Sequence, residues 1–232
     1  MAAASVSSAT DKASSPVNLY GASKLASDKL FVAGNSYAGA TGTRFAVVRY
    51  GNVMGSRGSV IPLFLSLAPS GVLPITSEQM TRFMITLEQG IELVWDAFAD
   101  MVGGEIYVKR IPSMKVVDIA RAVAPGARHD IIGVRPGEKV HEQMIGVDDA
   151  PHTYAYPGHF KILPAIHDWS SDPARISGGP ASATRRANNP ARSGAVADMS
   201  RPPSGSEYHR TTSGGTQNDP APHDAGSRPW EL

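Results

Sequence analysis

The chain has 232 residues, a formal net charge of +1 and no cysteine. This length suits one domain of ordinary size, and the near-zero charge gives no indication of a nucleic acid or a strongly acidic partner. The absence of cysteine excludes disulfides and thiolate metal sites and agrees with the cytoplasm, where we expect the protein to be. No apolar run reaches the ~20 residues of a membrane span, and the first residues do not predict a signal peptide.

The apolar pattern of residues 1–169 predicts an α/β domain in which strands and helices alternate. Strands are predicted within 2–9 and at 43–50, 73–75, 81–85, 105–108 and 129–134, with a final strand or hairpin at 154–163. Helices are predicted from Ser15-Pro16 to about 35–39 and at 60–67, 86–101 and 114–123, and a turn runs into a short helix at 135–142.

Helical spacing of apolar residues predicts the buried faces of the two longer helices. In the first helix this stripe consists of Leu19, Ala22 or Ser23, Ala26, Leu30, Ala33 and Tyr37, whereas Asp28 and Lys29 are predicted to face water. In the helix at 86–101 the predicted buried face consists of Leu87, Ile91, Val94 or Trp95, and Phe98.

Residues 170–232 differ in composition, because they are rich in Pro, Gly, Ser, Ala, Asn and Arg and contain few large aliphatic side chains. Such a segment buries too little apolar surface to offset its ordering entropy, so we expect a disordered tail. A charged interaction tail around Arg185, Arg186 and Arg192 is the alternative. The abrupt change near Ser170 also suits a shifted reading frame.

Tyr20 and Lys24 are four residues apart on the first predicted helix, so they share one face. A free phenol is a poor base at neutral pH, but an ammonium held nearby favours the phenolate. The pair can therefore take a proton from a sugar or alcohol hydroxyl while a cofactor accepts hydride. This spacing alone also fits a solvated helix face.

The predicted strand at 43–50 ends in a glycine-rich loop, and ligands bind at the carboxyl ends of strands in open α/β sheets. Asn52 can donate and accept hydrogen bonds, and Arg57 can clamp a phosphate. A connector with a solvated arginine is the alternative. The histidines show no paired ligand spacing, so we expect no metal site; they are His129, His141, His152, His159 and His167.

Seven blocks resemble, in order and spacing, the extended short-chain dehydrogenase/reductase family, and within it the inverting UDP-N-acetylglucosamine 4,6-dehydratases that begin pseudaminic acid synthesis. The resemblance covers about residues 8–168, and the blocks are 10–12, 18–24, 49–60, 80–83, 104–106, 111–114 and 135–142. It implies that residues 1–169 are the C-terminal part of a Rossmann-like doubly wound sheet plus a small substrate-binding α/β region.

The resemblance also implies roles for individual residues. Tyr20 and Lys24 would position the nicotinamide ribose of NADP (or NAD) and assist oxidation at C4, and the backbone of Val53 would contact the nicotinamide. Asp11 would be the acid for the C6 hydroxyl and Lys12 the base at C5, with Thr10 beside them. The UDP-sugar would be held by Asn52, Arg57, Gly58, Ser59, Val60, Arg82, Thr86, Arg135 and Glu138. Retaining relatives have a carboxylate in place of Lys12, so the Asp-Lys pair favours inversion.

The sequence departs from the family in two respects, and the first is the tail at 170–232, where the family continues with ordered, helical sequence. Intact members have a long segment before the Thr-Asp-Lys block, with a glycine-rich dinucleotide fingerprint that is absent here. We therefore expect either part of a dehydratase, acting as a homo-oligomer or with a complementing N-terminal half, or a non-catalytic remnant that binds sugar nucleotides. The Asp-Lys pair disfavours a related epimerase or reductase.

Overall fold

A computed structural model describes residues 3–38 and 42–164 of the chain. The α-helices in this part are α1 (Leu19–Tyr37), α2 (Val60–Leu67), α3 (Leu87–Asp100) and α4 (Val116–Val123). The strands are β1 (Ala4–Thr10), β2 (Arg44–Tyr50), β3 (Asn52–Val53), β4 (Val72–Ile75), β5 (Thr81–Ile85), β6 (Ile106–Lys109), β7 (Ser113–Lys115), β8 (Arg128–Ile131), β9 (Thr153–Ala155) and β10 (His159–Ile162). The tail predicted to be disordered, 170–232, lies outside the described residues.

The main sheet has five strands in the order β1-β2-β6-β10-β9. Strands β1, β2 and β6 are parallel, and β9 and β10 form an antiparallel hairpin next to β6, which confirms the hairpin predicted at 154–163. Thr10 at the end of β1 is paired with Tyr50 at the end of β2. The segments that follow these two strands therefore begin side by side at one edge of the sheet.

Helices cover both faces of this sheet, as the doubly wound prediction requires. Along β2, Val47 packs on one face with Phe31 and Val32 of α1, whereas Ala46 and Val48 pack on the other with α3. This alternation follows from the two-residue period of side chains along a strand. The α/β, Rossmann-like fold class is thus confirmed.

A smaller α/β region adjoins the sheet. Strands β3, β5 and β7 form one short sheet, and β4 and β8 form a parallel pair. Phe64 of α2 and Ile119 of α4 are fully buried there against Leu73, Met84 and Met114. This region has its own core, which gives the loops beside the main sheet a rigid support.

Helix α1 begins three residues later than the Ser15-Pro16 signature predicts. Ser15 has a left-handed backbone with φ of 48°, so it does not cap the helix. Asn18 is the cap instead, because its side-chain oxygen accepts the Gly21 N–H at 2.8 Å. The helix is therefore three residues shorter at its start than predicted.

The predicted buried faces of α1 and α3 are wrong. Leu30 on α1 is 71% exposed and Trp95 on α3 is 67% exposed, whereas Asp28, predicted to face water, is fully buried. Both helices carry apolar residues on more than one side, so periodicity alone does not decide which side meets the sheet. Asp28 is drawn inward by a buried arginine on β2, and α3 packs through Leu93 and Ala97.

The short helix predicted at 135–142 is also absent, and the chain there is irregular. Its backbone groups bond to distant parts of the fold: the Gly137 carbonyl accepts from the Asn18 side chain, and the Val140 carbonyl accepts from the Thr81 N–H. Residues 114 and 115, expected to open the last helix, instead belong to β7, which pairs with β5, so α4 starts at Val116.

Candidate active site

Asp11 and Lys12 meet at the carboxyl edge of the main sheet, in a 3-10 turn that follows β1. Asp11 is fully buried, and its Oδ1 accepts hydrogen bonds from Thr10 Oγ1 at 2.7 Å and from Lys12 Nζ at 3.0 Å. Lys12 Nζ also donates to Asn52 Oδ1 at 3.2 Å, across the gap between β1 and β3. The structure therefore brings four of the predicted residues into one hydrogen-bonded group.

Gly21 allows helix α1 to pack against this turn. A Cβ atom at Gly21 would lie 2.7 Å from the Lys12 carbonyl oxygen and 2.9 Å from Pro16 Cβ, closer than real Cβ atoms come. Only glycine permits this approach without displacing the turn. Tyr20, the preceding residue, is therefore held near Asp11 and Lys12 by the absence of a side chain at position 21.

Tyr20 and Lys24 lie one turn apart on α1, as predicted. Lys24 Nζ is 5.3 Å from the centroid of the Tyr20 ring, a cation–π distance, and the Tyr20 side chain is 57% exposed. Within residues 3–38 and 42–164, neither the Tyr20 hydroxyl nor the Lys24 ammonium takes part in a hydrogen bond. Both polar groups are therefore available to a ligand, which fits the ribose-holding role that the resemblance implies for them.

The loop after β2 places Asn52 in the site and leaves Arg57 in solvent. Gly51 packs so closely on Phe83 that a Cβ there would lie 2.4 Å from the Phe83 carbonyl oxygen. Arg57 and Gly58 are exposed, Ser59 precedes α2 with its hydroxyl buried, and Val60 begins that helix. The carbonyl of Val53 accepts the Ser56 N–H at 3.2 Å.

Three predicted substrate residues form a second charged group. Arg82 Nη2 lies 3.8 Å from Glu138 Oε1, and Arg135 Nε lies 3.4 Å from Glu138 Oε2. Arg82 is held further by the backbone carbonyls of Thr81 at 2.7 Å and Val140 at 3.2 Å. Two guanidinium groups therefore share one carboxylate, an arrangement that can exchange the carboxylate for a phosphate.

Thr86 has a structural contact in addition to any role at the substrate. It caps α3, because its hydroxyl accepts the Gln89 N–H at 3.2 Å while the Gln89 side chain accepts the Thr86 N–H at 3.1 Å. This reciprocal pair is a capping box. The structure does not bring Thr86 into either charged group.

Sequence reasoning gave no role to two residues beside Lys12. Glu142 Oε1 lies 3.7 Å from Lys12 Nζ, and Lys139 Nζ donates to the Ser14 carbonyl at 2.7 Å. Both stand in the family-like block at 135–142, so their presence in that block was the only available signal. Their irregular backbone has no periodicity from which their direction follows.

A buried ion cluster holds the middle of α1 against the sheet. Arg49 of β2 is fully buried and donates to Asp28 Oδ2 at 3.0 Å, to Asp149 Oδ2 at 3.1 Å and to the Met144 carbonyl at 3.0 Å. Burial raises the pKa of Asp28 above its ordinary value of 3.8, although the Arg49 guanidinium beside it acts in the opposite direction. Asp28 stands one turn beyond Lys24, so this cluster sets the rotation of the helix that carries Tyr20.

Comparison with known proteins places this chain in a family. A family model described as polysaccharide biosynthesis protein matches residues 2–164, more than half of the chain. The chain belongs to the polysaccharide biosynthesis protein family. It is 57% identical over 159 residues to a protein of Campylobacter jejuni serotype O:2 named UDP-N-acetylglucosamine 4,6-dehydratase (inverting), a match that covers 68% of this chain and 48% of that protein.

More distant relatives carry other names. A Rickettsia akari protein named UDP-glucose 4-epimerase is 38% identical over 158 residues, covering 66% of this chain and 46% of that protein. The X-ray structure of Pen from Bacillus thuringiensis matches with a TM-score of 0.67 and 33% identity, covering 70% of this chain and 54% of that one. The chain thus spans about half the length of the curated relatives it matches. In residues 3–38 and 42–164, no helix is long and apolar enough to cross a membrane.

Proposed function

We propose that this chain carries the catalytic residues of a C5-inverting UDP-N-acetylglucosamine 4,6-dehydratase that uses NADP and forms a 4-keto-6-deoxy sugar nucleotide. The observation that carries the proposal is the contact of Asp11 Oδ1 with Lys12 Nζ at 3.0 Å, beside the helix that bears Tyr20 and Lys24. The 57% identity to proteins of that name supports it.

Asp11 and Lys12 have the chemistry that elimination of water requires. One proton first passes from Lys12 Nζ to Asp11 Oδ1, which are in direct contact, and this gives an amine and a carboxylic acid. The amine then removes the C5 proton while the acid protonates the C6 hydroxyl, which leaves as water, so the step regenerates the ammonium and the carboxylate. Inversion requires that C5 regain a proton on the opposite face, and the C4 hydroxyl proton that Tyr20 takes up balances this proton.

Tyr20 and Lys24 serve the steps before and after elimination. Bound nicotinamide would supply the oxidation at C4 and the later reduction at C6. Tyr20 accepts the proton of the C4 hydroxyl, and the Lys24 ammonium lies 5.3 Å from the centroid of its ring. Their exposed polar ends fit the ribose of that cofactor, and Val53 offers a backbone contact.

The diphosphate of the substrate is proposed to bind at the second charged group. Arg82 and Arg135 would turn from Glu138 to the phosphate oxygens, which frees that carboxylate for a ribose hydroxyl. Asn52, Arg57, Gly58, Ser59, Val60 and Thr86 are proposed to line the sugar-nucleotide path. A UDP-sugar of this kind suits a cytoplasmic enzyme that feeds pseudaminic acid synthesis.

The partner is proposed to be a second copy or a complementing N-terminal half. Strand β1 supports this, since it stands at the edge of the main sheet and pairs with β2 alone within the described part of the chain. An unpaired edge is an available site for another strand.

The test is incubation of the full chain with UDP-N-acetylglucosamine and NADP, followed by NMR detection of the 4-keto-6-deoxy product. Lys12→Met should abolish product formation, whereas Lys115→Met, at an exposed lysine in β7, should leave it unchanged. Absence of product from the unaltered chain would contradict the proposal. If calorimetry then detects binding of the UDP-sugar, the chain is a sugar-nucleotide-binding module.

A further inference from the structure

Glu142 contacts the proposed base from a different segment of the chain than Asp11 and Asn52. It lies in the irregular segment after β8, and its carboxylate is only 7% exposed. Glu142 Oε1 is 3.7 Å from Lys12 Nζ, and Glu142 Oε2 is 3.6 Å from Lys139 Nζ. The carboxylate therefore bridges two lysines.

Lys139 is itself tied to the catalytic turn. Its Nζ donates to the carbonyl of Ser14, the residue that directly follows the 3-10 turn of Asp11 and Lys12. Ser14 is buried, so this carbonyl is a fixed point. Glu142 is thus connected to one end of the turn through Lys12 and to the other end through Lys139.

We propose that Glu142 is a positioning residue that holds Lys12 Nζ in place for the reaction, with Lys139 as its anchor; this rests on the proposed function. Lys12 has a flexible four-carbon stem and is 33% exposed, so its amine needs contacts on more than one side to stay in one position. Asp11 and Asn52 provide contacts from the sheet, and Glu142 provides the contact from the irregular segment.

The charges of the group support a positioning role. Asp11 and Glu142 are acidic and Lys12 and Lys139 are basic, so the four side chains balance one another in a partly buried place. Within the described residues, removal of the Glu142 charge leaves Lys139 without a carboxylate partner and leaves Lys12 with its contacts to Asp11 and Asn52. Lys12 Nζ then loses its contact with the irregular segment.

A labelling experiment on the full chain tests the contact without any substrate. Reductive methylation of lysines, followed by mass spectrometry, gives the rate for Lys12, and Lys24 serves as internal reference. In Glu142→Gln, which keeps the shape of the side chain, we expect Lys12 to react about two- to fivefold faster, as loss of an ion pair at a partly exposed site implies. Glu92→Gln, at an exposed glutamate on α3, should leave the rate unchanged.

Lys139→Met provides the second variant, because it leaves Glu142 in place but removes its anchor. We expect the methylation rate of Lys12 to rise in this variant as well, but by a smaller factor. Equal Lys12 rates in Glu142→Gln and the unaltered chain would overturn the proposal. A parallel rise at Lys12 and Lys24 would overturn it as well, since that result indicates general loosening of the fold.

Turnover separates this inference from the proposed function. In Glu142→Gln we expect kcat to fall about tenfold with KM unchanged, because the base is misplaced while the substrate contacts remain. If the unaltered chain forms no product, the proposed function fails, whereas the labelling rates still decide the role of Glu142 in holding Lys12. Unchanged kcat together with faster labelling would show that the contact does not serve catalysis and would overturn the proposal.

Discussion

Replacement of Gly21 by alanine is the sharpest test of how α1 is positioned. Gly21 lies in the first turn of α1, next to Tyr20, where an added Cβ would come within 2.7 Å of the Lys12 carbonyl oxygen. That oxygen belongs to the backbone of the 3-10 turn of Asp11 and Lys12 and cannot move aside as a flexible side chain can. The added methyl group must therefore push α1 and the turn apart.

A second glycine provides a matched control for the size of the effect. Gly90 is in α3, and a Cβ there would meet no atom within 4 Å. Alanine is favoured over glycine in a helix by about 0.5–1 kcal/mol, a gain that both replacements share. Overpacking costs about 1–3 kcal/mol. The free energy of unfolding of Gly21→Ala should therefore lie about 1–3 kcal/mol below that of Gly90→Ala.

The assay is urea unfolding followed by far-ultraviolet circular dichroism, with product formation measured on the same samples. We expect Gly90→Ala to be at least as stable as the unaltered chain and equally active. Gly21→Ala should lose both stability and activity, because Tyr20 moves away from Asp11 and Lys12. If the two variants unfold at the same urea concentration, the close packing of α1 on the turn is refuted.

Four further replacements test three other features of the fold. Arg49→Met should lower the free energy of unfolding by about 3–5 kcal/mol, because Asp28 is left buried without the arginine that it pairs with. A loss below about 1 kcal/mol in chemical denaturation would contradict the pairing of Arg49 with Asp28. Leu93→Ala should lower the free energy of unfolding by about 2–5 kcal/mol, because Leu93 is fully buried, and Trp95→Ala should lower it by less than about 0.5 kcal/mol, because Trp95 is exposed. A larger loss for Trp95→Ala in chemical denaturation would mean that the other side of α3 faces the sheet. Burial, with the Lys161 charge, lowers the pKa of His159 below 6.5, so the unfolded chain binds a proton at this residue more readily than the folded chain. Stability therefore falls as pH drops below 6.5. His159→Gln should make the melting temperature less dependent on pH in this range, and an unchanged dependence would argue against the reasoning.

Most of the strands were predictable because each of them is a short apolar run between turns. Val47 and Val48 sit in such a run, and the two-residue period leaves little choice about which face each side chain meets. The helices were harder, since Leu30 and Trp95 continue apolar stripes that the described fold leaves exposed. The partner of Asp28 is Arg49, on a strand beyond the end of the helix, and no local pattern links the two.

The centre of the site was predictable for a different reason. Asp11, Lys12 and Asn52 follow the ends of adjacent parallel strands, and such ends lie together at one edge of a sheet. Glu142 follows no strand or helix. Its position depends on long-range hydrogen bonds of the irregular segment, such as that of the Gly137 carbonyl with the Asn18 side chain. No local sequence pattern predicts such bonds.

The 3-10 turn of Asp11 and Lys12 has a consequence for how the reaction steps depend on one another. The proposed acid and base are consecutive residues, so covalent geometry keeps their backbones adjacent when the packing around them changes. The distance from either residue to Tyr20 depends instead on non-covalent packing at Gly21. Under the proposed function, a disturbance of the fold would therefore uncouple oxidation from elimination before it separates the two residues proposed for the elimination.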